Sequence, residues 1–308
     1  MPVQIPAVLR SRIAGRVPDA IGGISGDDWL AALPRLIAER MEAWGLTADG
    51  DPWYGENALV VPVTRPEGEA GALKLTWPHV EAQLEHLALR HWAGEGAVRL
   101  LAAHPATYAL LLERLDGDRD LDGPPIIAAC EEIGGLFGRL DRPSPPQVPS
   151  LAAHIPRWQD KLREPPPQVP RRLVLQAAHH LQDLAPGADD GRLVHTDLHF
   201  QNVLAPQDPA RGQWLAIDPK PLAAEWAFAV APAIWNRSEE AARAHSLAVH
   251  VRFRADVITD AAGLDEERVR AWTFLRLVLN AVDAADAGPS ADDFRGRMIA
   301  LATAFANP

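Results

Sequence analysis

Residues 193–204 read LVHTDLHFQNVL and residues 215–219 read LAIDP, and the fold is decided by how these two stretches are understood. Leu193 and Val194 have the character of a buried strand end. His195, Asp197 and Asn202 then leave apolar surroundings as polar groups, before Val203 and Leu204 return to the core. A connection from Ala205 runs through the apolar residues 214–217 to a second carboxylate, Asp218. A hairpin here would bring Asp197, Asn202 and Asp218 together. Two carboxylates and an amide supply hard oxygen ligands and a proton acceptor, a set suited to Mg²⁺ and a phosphoryl group.

The spacing His-x-Asp-Leu-x-x-x-Asn over residues 195–202 is that of the protein-kinase catalytic loop, with Thr196 where that loop carries arginine. The downstream aspartate stands in Ile-Asp-Pro and not in Asp-Phe-Gly. Two other readings compete. His195, Asp197 and His199 alternate, so on a strand they would share one face and suit a transition metal, as in a metal-dependent hydrolase. That reading leaves Asn202 and Asp218 without a task. A buried polar knot that only satisfies loop backbone is the usual account of a lone histidine, but a poor one for five polar residues bracketed by apolar strands.

A chain of 308 residues is long enough for two lobes with a sizeable core. Hydrophobic residues make up 47% and charged residues 23%, as in ordinary globular proteins. The net charge of −11 argues against nucleic acid or an anionic membrane as partner and favours, mildly, a cationic substrate. The single cysteine, Cys130, rules out an intrachain disulfide and reads as a buried small hydrophobe. Residues 1–15 contain no signal-peptide apolar core, and no run of about 18 apolar residues suits a membrane span, so the expected compartment is the cytoplasm.

Along the chain, residues 1–24 read as irregular or weakly helical. Residues 27–44 carry Trp29, Leu30, Leu33, Leu36, Ile37, Met41 and Trp44 at helical spacing, with Ser25 as N-cap, Pro34 as a candidate kink and Gly45 as the stop. Residues 58–63 and 72–76 read as a hairpin, and Gly55 just before it would let backbone approach a phosphate, although the full glycine-rich loop is lacking. Lys74 lies between Leu73 and Leu75, so in a strand it must face solvent or be paired. The helix expected over 79–92 offers Glu81 and Glu85 as partners. Glu85 is favoured because it shares a face with Leu89 and Trp92. Strands are expected at 97–102 and 107–112, followed by a hinge at Glu113 to Leu115 whose backbone would bond an adenine. Residues 116–123, DGDRDLDG, read as an exposed acidic loop. Helices are expected at 124–140, 150–163, 169–184, 238–261, 265–286 and 290–306. Two proline-rich connectors, 143–149 and 164–170, share the pentapeptide PPQVP. Asn280, Asp283 and Asp286 sit beside the buried face of the helix over 265–286 and are candidates for an acceptor wall.

The segments WLAALPRLI, GENALVVPV, ALKL, AVRLL, LLLERLDG, VHTDLHFQNVL, WLAIDPKPL and WTFLRLVLNAV span nearly the whole chain in order. Through them the chain resembles the aminoglycoside phosphotransferases, most closely the streptomycin 6-kinase and hydroxyurea kinase-like branch. The resemblance implies an α+β, protein-kinase-like fold, with a small antiparallel-sheet N-lobe (residues 1–115) and a large, mainly helical C-lobe (116–308). It implies ATP as donor, Mg²⁺ as cofactor and a small-molecule acceptor, a cationic aminocyclitol or a sugar. Asp197 matches the catalytic base, His195 the histidine that braces the loop, Asn202 and Asp218 the metal ligands, and Lys74 the phosphate-binding lysine. The implied function is an antibiotic-resistance kinase of streptomycin type. The alternatives are a metabolic kinase of a sugar, amino sugar or hydroxyurea-like molecule, or a nucleotide-binding protein without useful catalysis. Relatives carry an acidic residue after Ile-Asp-Pro and then Gly-Asp-Pro-Gly-Phe-Asp. This chain has Lys220 and then, at 224–229, Ala-Glu-Trp-Ala-Phe-Ala, with Glu225 keeping one charge and Ala229 lacking the other.

Overall fold

In the computed structural model, which describes residues 3–19 and 23–306, the chain forms two compact units. One runs to Arg119 and takes up Leu204–Lys220; the other comprises Asp120–Val203 and resumes at Pro221. In chain order come helices α1 (Ala7–Ile13) and α2 (Gly26–Ala43), then strands β1 (Thr47–Ala48), β2 (Trp53–Tyr54), β3 (Ala58–Thr64) and β4 (Ala70–Thr76). Helix α3 (Glu85–Trp92) precedes β5 (Leu100–His104), β6 (Ala109–Glu113) and β7 (Leu115–Asp120). Next are α4 (Ile126–Leu140), α5 (Ile155–Arg163), α6 (Arg171–Leu184), β8 (Arg192–His195), β9 (Val203–Pro206), β10 (Leu215–Ala216) and β11 (Pro221–Ala224). The chain ends in α7 (Ala231–Trp235), α8 (Ser238–Arg243), α9 (Leu247–Ala262), α10 (Glu266–Asp286) and α11 (Asp292–Phe305).

In the first unit the antiparallel sheet has the order β1-β3-β4-β6-β5, with β2 also paired to β3. Side chains alternate across a strand. Leu59, Val61, Val63, Leu73, Leu75 and Leu111 therefore share the face that packs with Leu9, Ile13, Trp29, Leu33 and Ile37 of α1 and α2. Burial of each large side chain there contributes about 1.5–3 kcal/mol. Lys74, in register with Val60 and Leu110, necessarily lies on the opposite face. Ser25 caps α2 by accepting the Asp28 N–H, and Pro34 lies inside the helix without ending it. Gly45 follows with φ +63, the left-handed conformation a helix stop favours. Of the stretch 1–24, α1 is helical; residues 1–2 and 20–22 lie outside the described residues.

The second unit is mainly helical, with β8 and β11 paired antiparallel so that His195 opposes Pro221. Trp272, Leu275, Leu279 and Val282 bury one side of α10. Both PPQVP copies fold alike: Val148 donates its N–H to Pro145 O at 3.0 Å and Val169 to Pro166 O at 3.1 Å, and each valine is buried just before the next helix. Cys130 is buried, which pushes its thiol up to about 12.

Four local expectations need correction. The acidic stretch after Leu115 is strand β7, paired with β9, and its charges are tolerated because residues 117–119 face solvent. The helix expected over 79–92 is a short 3₁₀ turn at Val80–Ala82 followed by α3. The helix expected over 150–163 opens as a 3₁₀ turn, Leu151–His154, before α5. The helix expected over 238–261 is broken at Ala244, after which the Ser246 side chain accepts the Val249 N–H and starts α9 afresh. Among the described residues, no helix is long and apolar enough to cross a membrane.

Candidate active site

Lys74 emerges from β4 away from the leucine-lined face and is 5% exposed, so its ammonium has to be paired. Its Nζ donates to Glu85 Oε1 at 2.7 Å and to Asp218 Oδ1 at 2.5 Å. Glu85 opens α3 and shares its buried face with Ala88, Leu89 and Trp92, the spacing of one helix face. Glu81, the other glutamate considered, pairs instead with Lys220 at 3.0 Å. The lysine that departs from the relatives' acidic residue is thus engaged with a carboxylate of the same unit. Asp218 has φ +53, a left-handed conformation that aspartate adopts more readily than most non-glycine residues.

Burial opposes the charge on Lys74, but the two carboxylates outweigh it and hold its pKa above the ordinary lysine value. Burial also pushes the Glu85 carboxyl up to about 7, against the pull of Lys74. As pH falls through that value, Glu85 takes up a proton and loses its hold on Lys74. In the phosphate-binding role expected of Lys74, the ratio of wild-type to Glu85→Gln kcat/KM for the nucleotide should therefore shrink between about pH 8 and pH 6, since kcat/KM reports groups of the free enzyme. A ratio flat with pH would rule out Glu85 as the titrating partner.

Three further candidates belong to the same unit. Gly55 begins the turn between β2 and β3, where its N–H donates to Ala58 O at 3.0 Å. A Cβ at Gly55 would meet nothing within 4 Å, so packing does not demand glycine there. At the end of β6, Glu113 is held by Arg211, through Nη2 at 2.7 Å and Nε at 3.1 Å, and its own N–H donates to Arg99 O. Leu115 is buried at the start of β7. The Glu113 side chain thus ties the end of β6 to Arg211, a link that no local sequence pattern marks.

The second unit carries His195, Asp197 and Asn202. His195 ends β8 fully buried, and its Nδ1 accepts the Asp197 N–H at 3.2 Å, which leaves the ring proton on Nε2 in the neutral form. Asn202 donates from Nδ2 to Asp197 O at 2.9 Å. Its amide nitrogen is committed to the loop, so its carbonyl oxygen is the hard ligand it can offer. Leu121 N–H bonds to Phe200 O at 3.1 Å, Gln201 bonds to Asp122 at 2.8 Å, and Arg237 lies over the Phe200 ring, fastening the far side of the loop. The strand stops at His195 and a turn follows, so His195, Asp197 and His199 do not share a strand face. Among the described residues, no cluster of three or more His, Cys, Asp or Glu forms a metal-holding group. The hydrolase reading loses its geometry. In α10, Asp283 is paired with Lys161, and Asn280 contacts Met298 Sδ. Glu225 is buried, accepting from Arg268 Nε and from Trp272 Nε1, both at 2.6 Å.

A family model described as aminoglycoside/hydroxyurea antibiotic resistance kinase matches residues 43–288. A hydroxyurea phosphotransferase from Kitasatospora aureofaciens is 40% identical over 91% of this chain and 80% of that protein. A streptomycin 6-kinase from Streptomyces glaucescens is 38% identical over 94% of each chain. Among solved structures, an amicoumacin kinase in complex with AMP-PNP, Ca²⁺ and Ami superposes with a TM-score of 0.58 at 15% identity, covering 90% of this chain and 96% of that one. At that identity the likeness speaks for a protein-kinase-like fold, which the antiparallel sheet of the first unit and the helices of the second express.

Proposed function

Since the chain belongs to the aminoglycoside/hydroxyurea antibiotic resistance kinase family and is a small-molecule phosphotransferase acting on a hydroxyl group, we propose that it transfers the γ-phosphoryl of ATP to a streptomycin-type aminocyclitol. The observation that carries the nucleotide part is the Lys74 ammonium bridging Glu85 and Asp218, residues drawn from three separate segments of the chain. A kinase needs this arrangement, a lysine for phosphate oxygens fixed by a helix glutamate, with a metal-binding aspartate beside it. In the proposed roles, Lys74 holds the phosphates, the Gly55 turn covers them, and main chain at Glu113 to Leu115 takes the adenine. Because the Glu113 N–H is already given to Arg99 O, a donor to the base would come from Arg114 or Leu115.

In the proposed roles the Asp218 carboxylate and the Asn202 carbonyl, each an oxygen donor of the kind Mg²⁺ prefers, would serve that hard cation, which keeps the rest of its shell for water and phosphate. Bound there, it would neutralise charge on the triphosphate. Asp197 accepts a hydrogen bond, and finally the proton, from the acceptor hydroxyl, and His195 fixes the peptide that carries it. Catalysis then rests on positioning and charge neutralisation. Phosphate adds about two negative charges to a cationic acceptor, enough to spoil recognition by an anionic target.

A second reading, hydroxyurea as acceptor, is favoured by the 40% identity to a hydroxyurea phosphotransferase, while the streptomycin reading is favoured by the fuller coverage of the streptomycin 6-kinase, 94% against 80%. Purified protein should release ADP with streptomycin or hydroxyurea in the presence of Mg²⁺, release none after EDTA, and give little with plain sugars and amino sugars. Turnover of sugars alone would replace the resistance reading with a metabolic one.

A further inference from the structure

Arg276 lies midway along α10, inside the segment WTFLRLVLNAV but remote in sequence from the stretches at 193–204 and 215–219, and is half-buried. Its Nη1 donates to two main-chain oxygens, Thr196 O at 3.1 Å and Phe228 O at 2.9 Å. The guanidinium carbon stands 4.2 Å from the centre of the Phe228 ring and 4.9 Å from that of Trp235, so two aromatic rings restrict where the cation can go. Bonds from a charged donor are stronger than those between neutral groups.

The Thr196 carbonyl belongs to the peptide whose N–H is that of Asp197. The unit is planar and rigid. Its oxygen is held by Arg276 and its N–H by His195 Nδ1, while the next carbonyl, of Asp197 itself, is held by Asn202. The backbone bearing Asp197 is thereby gripped on both sides. The same cation ties this loop to the segment carrying Phe228, whose base is anchored by Glu225 to Arg268 and Trp272. The loop has threonine at the position where the kinase pattern has arginine, so it contains no cation of its own at that place.

We propose that Arg276 is a positioning residue for phosphoryl transfer, setting the Asp197 carboxylate through the Thr196 carbonyl from a helix 80 residues away. The inference rests on Asp197 being the proton acceptor. It is tested with Arg276→Met, which keeps the stem between the rings but removes the donor, and Arg276→Lys, which restores a cationic donor. Both are made alone and in combination with Asp197→Asn, and assayed with whichever of streptomycin or hydroxyurea the wild type turns over faster. Arg276→Met should lower kcat per folded molecule about 10–100-fold, the scale of a catalytic group slightly misplaced, with KM for ATP within about twofold of wild type. Arg276→Lys should recover about a tenth or more of wild-type kcat, and Arg276→Met should cost little further once Asp197 is already asparagine. Should Arg276→Met not fold, the lysine variant and its Asp197→Asn double carry the same comparison. Wild-type kcat in Arg276→Met, or a full further loss on the asparagine background, overturns the inference while leaving Asp197 in place. Full turnover in the Asp197→Asn single variant overturns the base assignment itself, whatever Arg276 does.

Discussion

Asp197→Asn should lower kcat by about 10²–10⁴-fold, the usual worth of a general base, with thermal stability and KM for ATP near wild type. The expectation follows from how the residue is held. Its N–H bonds to His195 and its carbonyl to Asn202, and both are main-chain interactions that the substitution leaves alone. Asparagine has nearly the same shape as aspartate, so the loop keeps its course while the carboxylate proposed to accept the proton becomes an amide. A fall in kcat at constant KM is the mark of an interaction made in the transition state. A variant with full ATP-dependent turnover would show that the acceptor hydroxyl loses its proton elsewhere.

The parts of this fold that could be read from sequence are those in which local chemistry and packing agree. Leu73 and Leu75 define one face of a strand, and Lys74 between them can only lie on the other. Glu85 is marked by its spacing to Leu89 and Trp92, which is why it, and not Glu81, meets Lys74. Strand β7 shows the opposite case. DGDRD has poor strand propensity, and it is extended because β9, distant in sequence, pairs with it. The break between α8 and α9 did carry a local sign, Ser246 as a cap, but apolar periodicity on both sides masked it.

For the candidate site, the residues in the two short motifs stand out in the sequence because their types and spacing suit the one chemistry proposed for them. The residues that hold them do not. Arg211 on Glu113, Arg237 on Phe200 and Arg276 on Thr196 are ordinary surface-type arginines in the sequence, separated from their partners by 98 residues in the first case and 80 in the last. No periodicity links such pairs. Only the fold brings a cation to a carbonyl or carboxylate that local structure has already committed to one direction.

Lys74→Met should reduce kcat/KM for ATP by about 10²–10³-fold, the worth of one preorganised donor, and should destabilise the protein as well. The two losses have different origins. Removing one member of a buried pair leaves the other stranded, at a cost of about 3–5 kcal/mol. Glu85 is the stranded group, 3% exposed, whereas the Asp218 side chain is 49% exposed and can turn to water. Burial already raises the Glu85 carboxyl to about 7, and loss of Lys74 removes the attraction that lowers it. The folded protein then holds a proton that the unfolded chain has given up, so the destabilisation should grow as pH rises from about 6 to 8. Lys74→Met/Glu85→Leu replaces the pair with apolar groups of similar size, an exchange that is often neutral or stabilising. Thermal unfolding of the double variant should return toward wild type and lose that pH dependence, while activity stays at the level of the single variant. Recovery of activity along with stability would mean that Lys74 serves the fold and that phosphate is held by another group.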